Sequence, residues 1–119
     1  MRRTLLSLTL LGLVALGTGA TAAPALAGGP PPTSVTINIA AFRYFPGDVT
    51  VAPGATITVR NIDGAVFGEP HSLTGLRFNT GVFTTGTRTI TAPTTDGSYR
   101  YLCIVHGPSM NGVIRVSSD

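Results

Sequence analysis

The sequence predicts an all-β sandwich, and three observations carry that expectation. Apolar and polar residues alternate at period two: Val35, Ile37 and Ile39 with Thr36 and Asn38, then Ile57 and Val59 with Thr56, Thr58 and Arg60. Each run therefore offers one apolar face. Turn-forming residues cut the chain at Pro46-Gly47-Asp48, Pro53-Gly54, Asp63-Gly64, Thr85-Gly86 and Asp96-Gly97, which keeps the strands short. No window holds an apolar stripe at the helical period long enough for a helix. Many short strands at turn-limited spacing are the pattern of two packed sheets.

The elements follow in order. Met1-Arg2-Arg3 is a positive start, Leu5 to Leu16 is almost unbroken apolar sequence, and Ala25-Leu26-Ala27 fits a small-residue cleavage site. Residues 1–27 read as a secretory signal peptide, with an apolar run short of the ~20 residues a spanning helix needs. The mature chain is then exported, to the periplasm or the extracellular space, with no membrane span. Residues 28–33, rich in Gly and Pro, read as a flexible arm of polyproline character. Residues 34–119 form one domain, too small to split into two cores. Later strands are expected at 87–92, 97–103 and 112–117. Losing Arg2 and Arg3 lowers the formal charge from +3 to +1. The remaining Arg residues are scattered singly, with no basic run to track phosphates, so nucleic acid is not an expected partner.

An exported domain of this size often depends on disulfides, and a single cysteine, Cys103, cannot form one within the chain. Its thiol is open to intermolecular pairing, inert burial, nucleophilic chemistry or metal ligation. In "GSYRYLC" Tyr99, Tyr101 and Cys103 share one face, so the sulfur points inward at the end of a strand. Ile104 to Ser109 then form a loop carrying His106, with Met110 at its far end. His71, the only other histidine, stands in "GEPHSLTG" after a turn-rich insert. An antiparallel sandwich can bring these four to one end of the domain. Thiolate and thioether are soft donors and imidazole is borderline, so such a set favours copper.

The chain from about Thr33 to Ser117 resembles the cupredoxins, the small blue type 1 copper proteins, and within them the plastocyanin, pseudoazurin and amicyanin group. The resemblance rests on "FPGDVTVAPGATITVRN" from Phe45 to Asn61, "PHSLT" around His71, "FNTG" from Phe78 to Gly81 and "GSYRYLCIVHGPSMNGVIRV" from Gly97 to Val116. It implies a Greek-key β-sandwich holding one copper that cycles between Cu(I) and Cu(II). His71, Cys103 and His106 would be equatorial ligands and Met110 the axial one. Two features depart from the family pattern: Gly107, Pro108 and Ser109 give an unusual spacing from His106 to Met110, and the segment from Asp63 to His71 is longer than usual.

The expected function is single-electron transfer between redox partner proteins docking near His106, Pro108 and Phe67. A set of four ligands leaves no open position for a substrate, so an enzyme is not expected. Copper trafficking or storage would use the same donors. A thiol enzyme built on Cys103 and His106 has no third group evident in the sequence to orient the base, and the chain is short for a substrate cleft; a metal-free adhesive sandwich is the remaining alternative.

Overall fold

The computed structural model describes residues 29–119, so the segment 1–27 expected to be a signal peptide and the first residue of the expected arm lie outside the described residues. Eight strands and one short helix run in the order β1 (Ser34–Ala40), β2 (Arg43–Phe45), β3 (Asp48–Val51), β4 (Thr56–Asn61), α1 (Ile62–Phe67), β5 (Thr74–Gly75), β6 (Thr87–Thr91), β7 (Gly97–Cys103) and β8 (Gly107–Val116). They build two four-stranded sheets, β2-β1-β4-β6 and β3-β8-β7-β5. β1 pairs with β4 and β3 with β8 in parallel, while the other pairings are antiparallel. Among the described residues no helix is long and apolar enough to cross a membrane.

The period-two pattern explains the core. Ile37 and Ile39 of β1, Ile57 and Val59 of β4 and Ile90 of β6 pack against Val51, Tyr101, Cys103, Met110, Ile114 and Val116 of the second sheet. Each such aliphatic side chain, once buried, contributes roughly 1.5–3 kcal/mol. In β7, Tyr101 and Cys103 are buried and Tyr99 partly so, while Ser98 and Arg100 face solvent. At the chain's entry to the domain, the carbonyls of Pro32 and Thr33 accept the Ala52 and Thr56 amides.

Two differences from the expected elements, and one turn for which the sequence carried no expectation, bear on the site. Asp63-Gly64 is not a turn but part of α1: Asn61 caps the helix by accepting the Gly64 amide, and Gly68 ends it at φ 72°. Six residues are less than two turns, too few to leave a periodic stripe in the sequence. β8 begins at Gly107 rather than near Gly112, because Cys103 pairs with Gly107 while Leu102 pairs with Asn111. Pro108 to Met110 are thus extra residues in a bulge opposite one step of β7. Finally, β1 and β2 join through Ala41 and Phe42, both with positive φ (51° and 59°), a mirror-image turn that normally uses Asn-Gly.

Candidate metal centre

That unusual hairpin has a side-chain partner. The Ala41 and Phe42 amides donate to the two oxygens of Asp63, at 2.7 and 2.9 Å, which offsets part of the cost of placing two residues with Cβ atoms in the left-handed region. The turn in consequence holds the Phe42 ring edge-on to both histidines, with centroids 5.4 Å from His71 and 4.9 Å from His106. Asp63 is itself fixed by α1, whose Asn61 cap also donates to the Glu69 and Phe83 carbonyls.

The three strongest sequence candidates meet here. His71 is fully buried, and its backbone bridges to Phe83 in both directions. Cys103 is fully buried at the end of β7. His106 lies on the loop into β8 with 23% of its side chain exposed. Their Nδ1, Sγ and Nδ1 atoms form a triangle: 3.2 Å between the two nitrogens, 3.8 Å from sulfur to His71 and 3.5 Å from sulfur to His106. These edges suit a common centre about 2.0–2.3 Å from each donor, the range of metal–nitrogen and metal–sulfur bonds. Met110, the fourth candidate, is buried at 2% exposure on β8, just before the Leu102–Asn111 pair.

The outward ring nitrogens are engaged as well. His71 Nε2 lies 2.8 Å from Asp63 Oδ2 and His106 Nε2 lies 2.9 Å from Glu69 Oε1. A proton on each Nε2 leaves each Nδ1 a lone pair aimed inward, which is the tautomer a metal bound at Nδ1 requires. The donor set therefore fits a soft or borderline cation.

Electrostatics prepares the thiol. Burial alone would push Cys103 up, but the Ser72 amide at 3.4 Å and the imidazoles of His106 and His71 outweigh it and bring it down to about 6. His106 is raised, chiefly by the Cys103 sulfur and further by Glu69. The metal-free pocket thus favours the thiolate form of Cys103, the form that binds a cation. Ser72 also braces the loop, its Oγ accepting the Ile104 amide at 3.0 Å.

Asp63 gives the pocket a pH signature. Burial would raise its carboxyl, yet the Phe42 amide, the His71 ring and the Ala41 amide hold it below the usual carboxylate range. Its stabilising contribution is complete above about pH 4, where the unfolded chain is also ionised, and is lost as the pH falls through the lower folded value. Metal-free protein should lose stability on acidification below about pH 4, and Asp63→Asn should do so less steeply. Urea titrations across that range measure both slopes, and equal slopes would detach the carboxylate from its amide partners.

Asp63, Glu69 and Phe42 were not among the sequence candidates. The Asp63 signal was present as a lone acid opening the insert, but it reads equally as a turn residue. Phe42 had no signal, since its position depends on a bond to a residue 21 positions away.

An eight-stranded sandwich with two imidazoles and a thiol converging at one end defines a class: this is the cupredoxin fold. No family model and no curated protein matches the chain. Solved structures do. An oxidized mutant of amicyanin superposes with a TM-score of 0.60 at 20% identity, covering 75% of this chain and 92% of that one. A Cu(I) mutant of amicyanin gives 0.58 at 21% identity, covering 71% and 83%. Amicyanin from Paracoccus versutus (Thiobacillus versutus) gives 0.57 at 22% identity, covering 75% and 92%.

Proposed function

We propose that this chain is an exported mononuclear blue-copper protein that carries single electrons between redox partners. The observation that carries the reading is the triangle of His71 Nδ1, Cys103 Sγ and His106 Nδ1 at one end of a sandwich with the amicyanin fold. One of the amicyanin structures it resembles is described as Cu(I). Two imidazoles and a thiolate in a trigonal set, with a long thioether on the axis, form the donor combination of blue-copper electron-transfer sites. His71, Cys103 and His106 would hold the ion equatorially, and Met110 would lie on the axis.

Copper held there would supply a reversible one-electron couple. The chain contributes rigidity: His71 is locked by its bridge to Phe83, Cys103 by the sheet, and His106 by the loop that Ser72 braces. Donors fixed in this way leave little to reorganise when an electron moves. They also fill the site, leaving no position for a substrate, so we assign no catalytic reaction. Electrons would pass through the partly exposed His106 ring. Around that end of the domain Phe42, Val66, Phe67, Ile104 and Val105 are exposed, and they, with Pro108, form the docking surface we propose. A mature charge of only +1, once Arg2 and Arg3 leave, gives little long-range steering, so contact would be chiefly apolar.

Addition of Cu(II) to the purified mature domain tests the reading. An intense visible thiolate-to-copper band that bleaches on reduction and returns on oxidation, with the metal retained throughout, is the expected result. A colourless protein would overturn the copper assignment, and loss of metal on reduction would favour trafficking or storage.

A further inference from the structure

The mature chain has five carboxylate side chains and two histidines, and each histidine has a carboxylate on its outward nitrogen. Two of the five acids are thus committed to one pair of rings. Both come from the long insert, where α1 sets Asp63 at one end and the chain after Gly68 returns Glu69 at the other. Their surroundings differ: Asp63 is 2% exposed and Glu69 33%. Among the described residues no Arg forms an ion pair with either, the one Arg–carboxylate pair being Arg115–Asp48, and the chain contains no lysine.

Resting on the copper reading above, we infer that Asp63 and Glu69 are positioning residues that hold the reduction potential of the centre down. A carboxylate accepting the Nε2–H of a metal-facing imidazole fixes the ring's tautomer and angle and makes Nδ1 a stronger donor. It also places a negative charge one ring's width from the ion. Both effects stabilise the doubly charged ion more than the singly charged one, since the attraction scales with the charge on the metal. The buried Asp63 is screened less and acts more strongly, but it also carries the Ala41-Phe42 turn, so its removal would disturb the fold and the site together. Glu69 separates the two roles. Within the described residues its side-chain oxygens bond only His106, and glutamine can offer the same oxygen to the same N–H without the charge.

The test is Glu69→Gln in the mature protein, read by spectroelectrochemical titration of the copper-loaded form and by competitive Zn(II) titration of the metal-free form. The visible band should remain. Cu(II) affinity should fall tenfold to a hundredfold, as for other partners of ligating histidines, and Cu(I) affinity by less, so the potential should rise by up to about 60–120 mV for one electron. Zn(II) affinity should fall by a similar factor. Glu69→Ala, which also frees the ring, should weaken Zn(II) binding further. A blue Glu69→Gln protein with unchanged potential would overturn the inference and leave the copper reading intact. A wild-type protein that never turned blue would overturn the copper reading, and unchanged Zn(II) affinity in Glu69→Gln would then dispose of the carboxylate role separately.

Discussion

Replacing Cys103 by serine should abolish the blue band while the sandwich stays folded. The colour of a copper–thiolate site is charge transfer from sulfur, and the lone pairs of the harder serine oxygen lie too low in energy to replace it. Serine also stays protonated where Cys103, brought down to about 6, is a thiolate. The Nδ1 atoms of the two imidazoles, 3.2 Å apart, are untouched by the change, so Cys103→Ser should still take up Cu(II) weakly, as a pale complex. Stability should fall only modestly. Serine is close in size, and its oxygen can accept from the Ser72 amide that now faces the sulfur. An imperfectly satisfied buried hydroxyl costs about 1–3 kcal/mol, within the 5–15 kcal/mol typical of a domain. Absorption spectra of the loaded variant and a urea melt of the metal-free one measure both effects. Retained intense colour would overturn the thiolate origin of the band, since Cys103 is the only cysteine in the chain.

How much of this was legible in the sequence follows from how local each signal is. The alternation through Val35–Ile39 and Thr56–Arg60 is a property of neighbouring residues, and β1 and β4 appear where it places them. The inward direction of Cys103 follows from its parity with Tyr101, and the sulfur is buried accordingly. Convergence of His71 with the Cys103 loop was legible only through the four-residue pattern and its family resemblance, and the structure does bring His71, Cys103 and His106 together. The layer behind the histidines was not legible. Asp63 matters because its oxygens reach Ala41, Phe42 and His71 at once, and those bonds span sequence distances that periodicity cannot encode. Glu69 was read as part of an insert of unusual length, yet that length is what carries a carboxylate back to His106. The start of β8 was misplaced for a related reason: Gly107 and Pro108 look like loop residues, and only the pairing of Gly107 with Cys103 draws them into the strand.

Gly64→Ala should be among the most damaging single-methyl changes in the domain. In an exposed helix this substitution stabilises by about 1 kcal/mol, because glycine is the poorer helix former. Here the sign reverses. A Cβ on Gly64 would overlap the Thr84 carbonyl oxygen and lie 2.8 Å from Asn61 Nδ2. Both neighbours are fixed: one is backbone, and the other is the cap side chain that donates to the Glu69 and Phe83 carbonyls. Relief requires α1 to lift away from the segment bearing Thr84, breaking the cap. Asp63, next to the clash, would then lose its hold on the Ala41-Phe42 turn and on His71. The expected loss exceeds the ~1–3 kcal/mol of ordinary overpacking, and it should appear both as a lower urea midpoint and as weaker Zn(II) binding by whatever folded protein remains. Gly68→Ala supplies the control: its added methyl meets open space, so it suffers only the roughly 1–2 kcal/mol of placing a Cβ at positive φ. A Gly64→Ala protein as stable as Gly68→Ala would mean that α1 does not press on Thr84, and the placement of Asp63 against His71 would have to be redrawn with it.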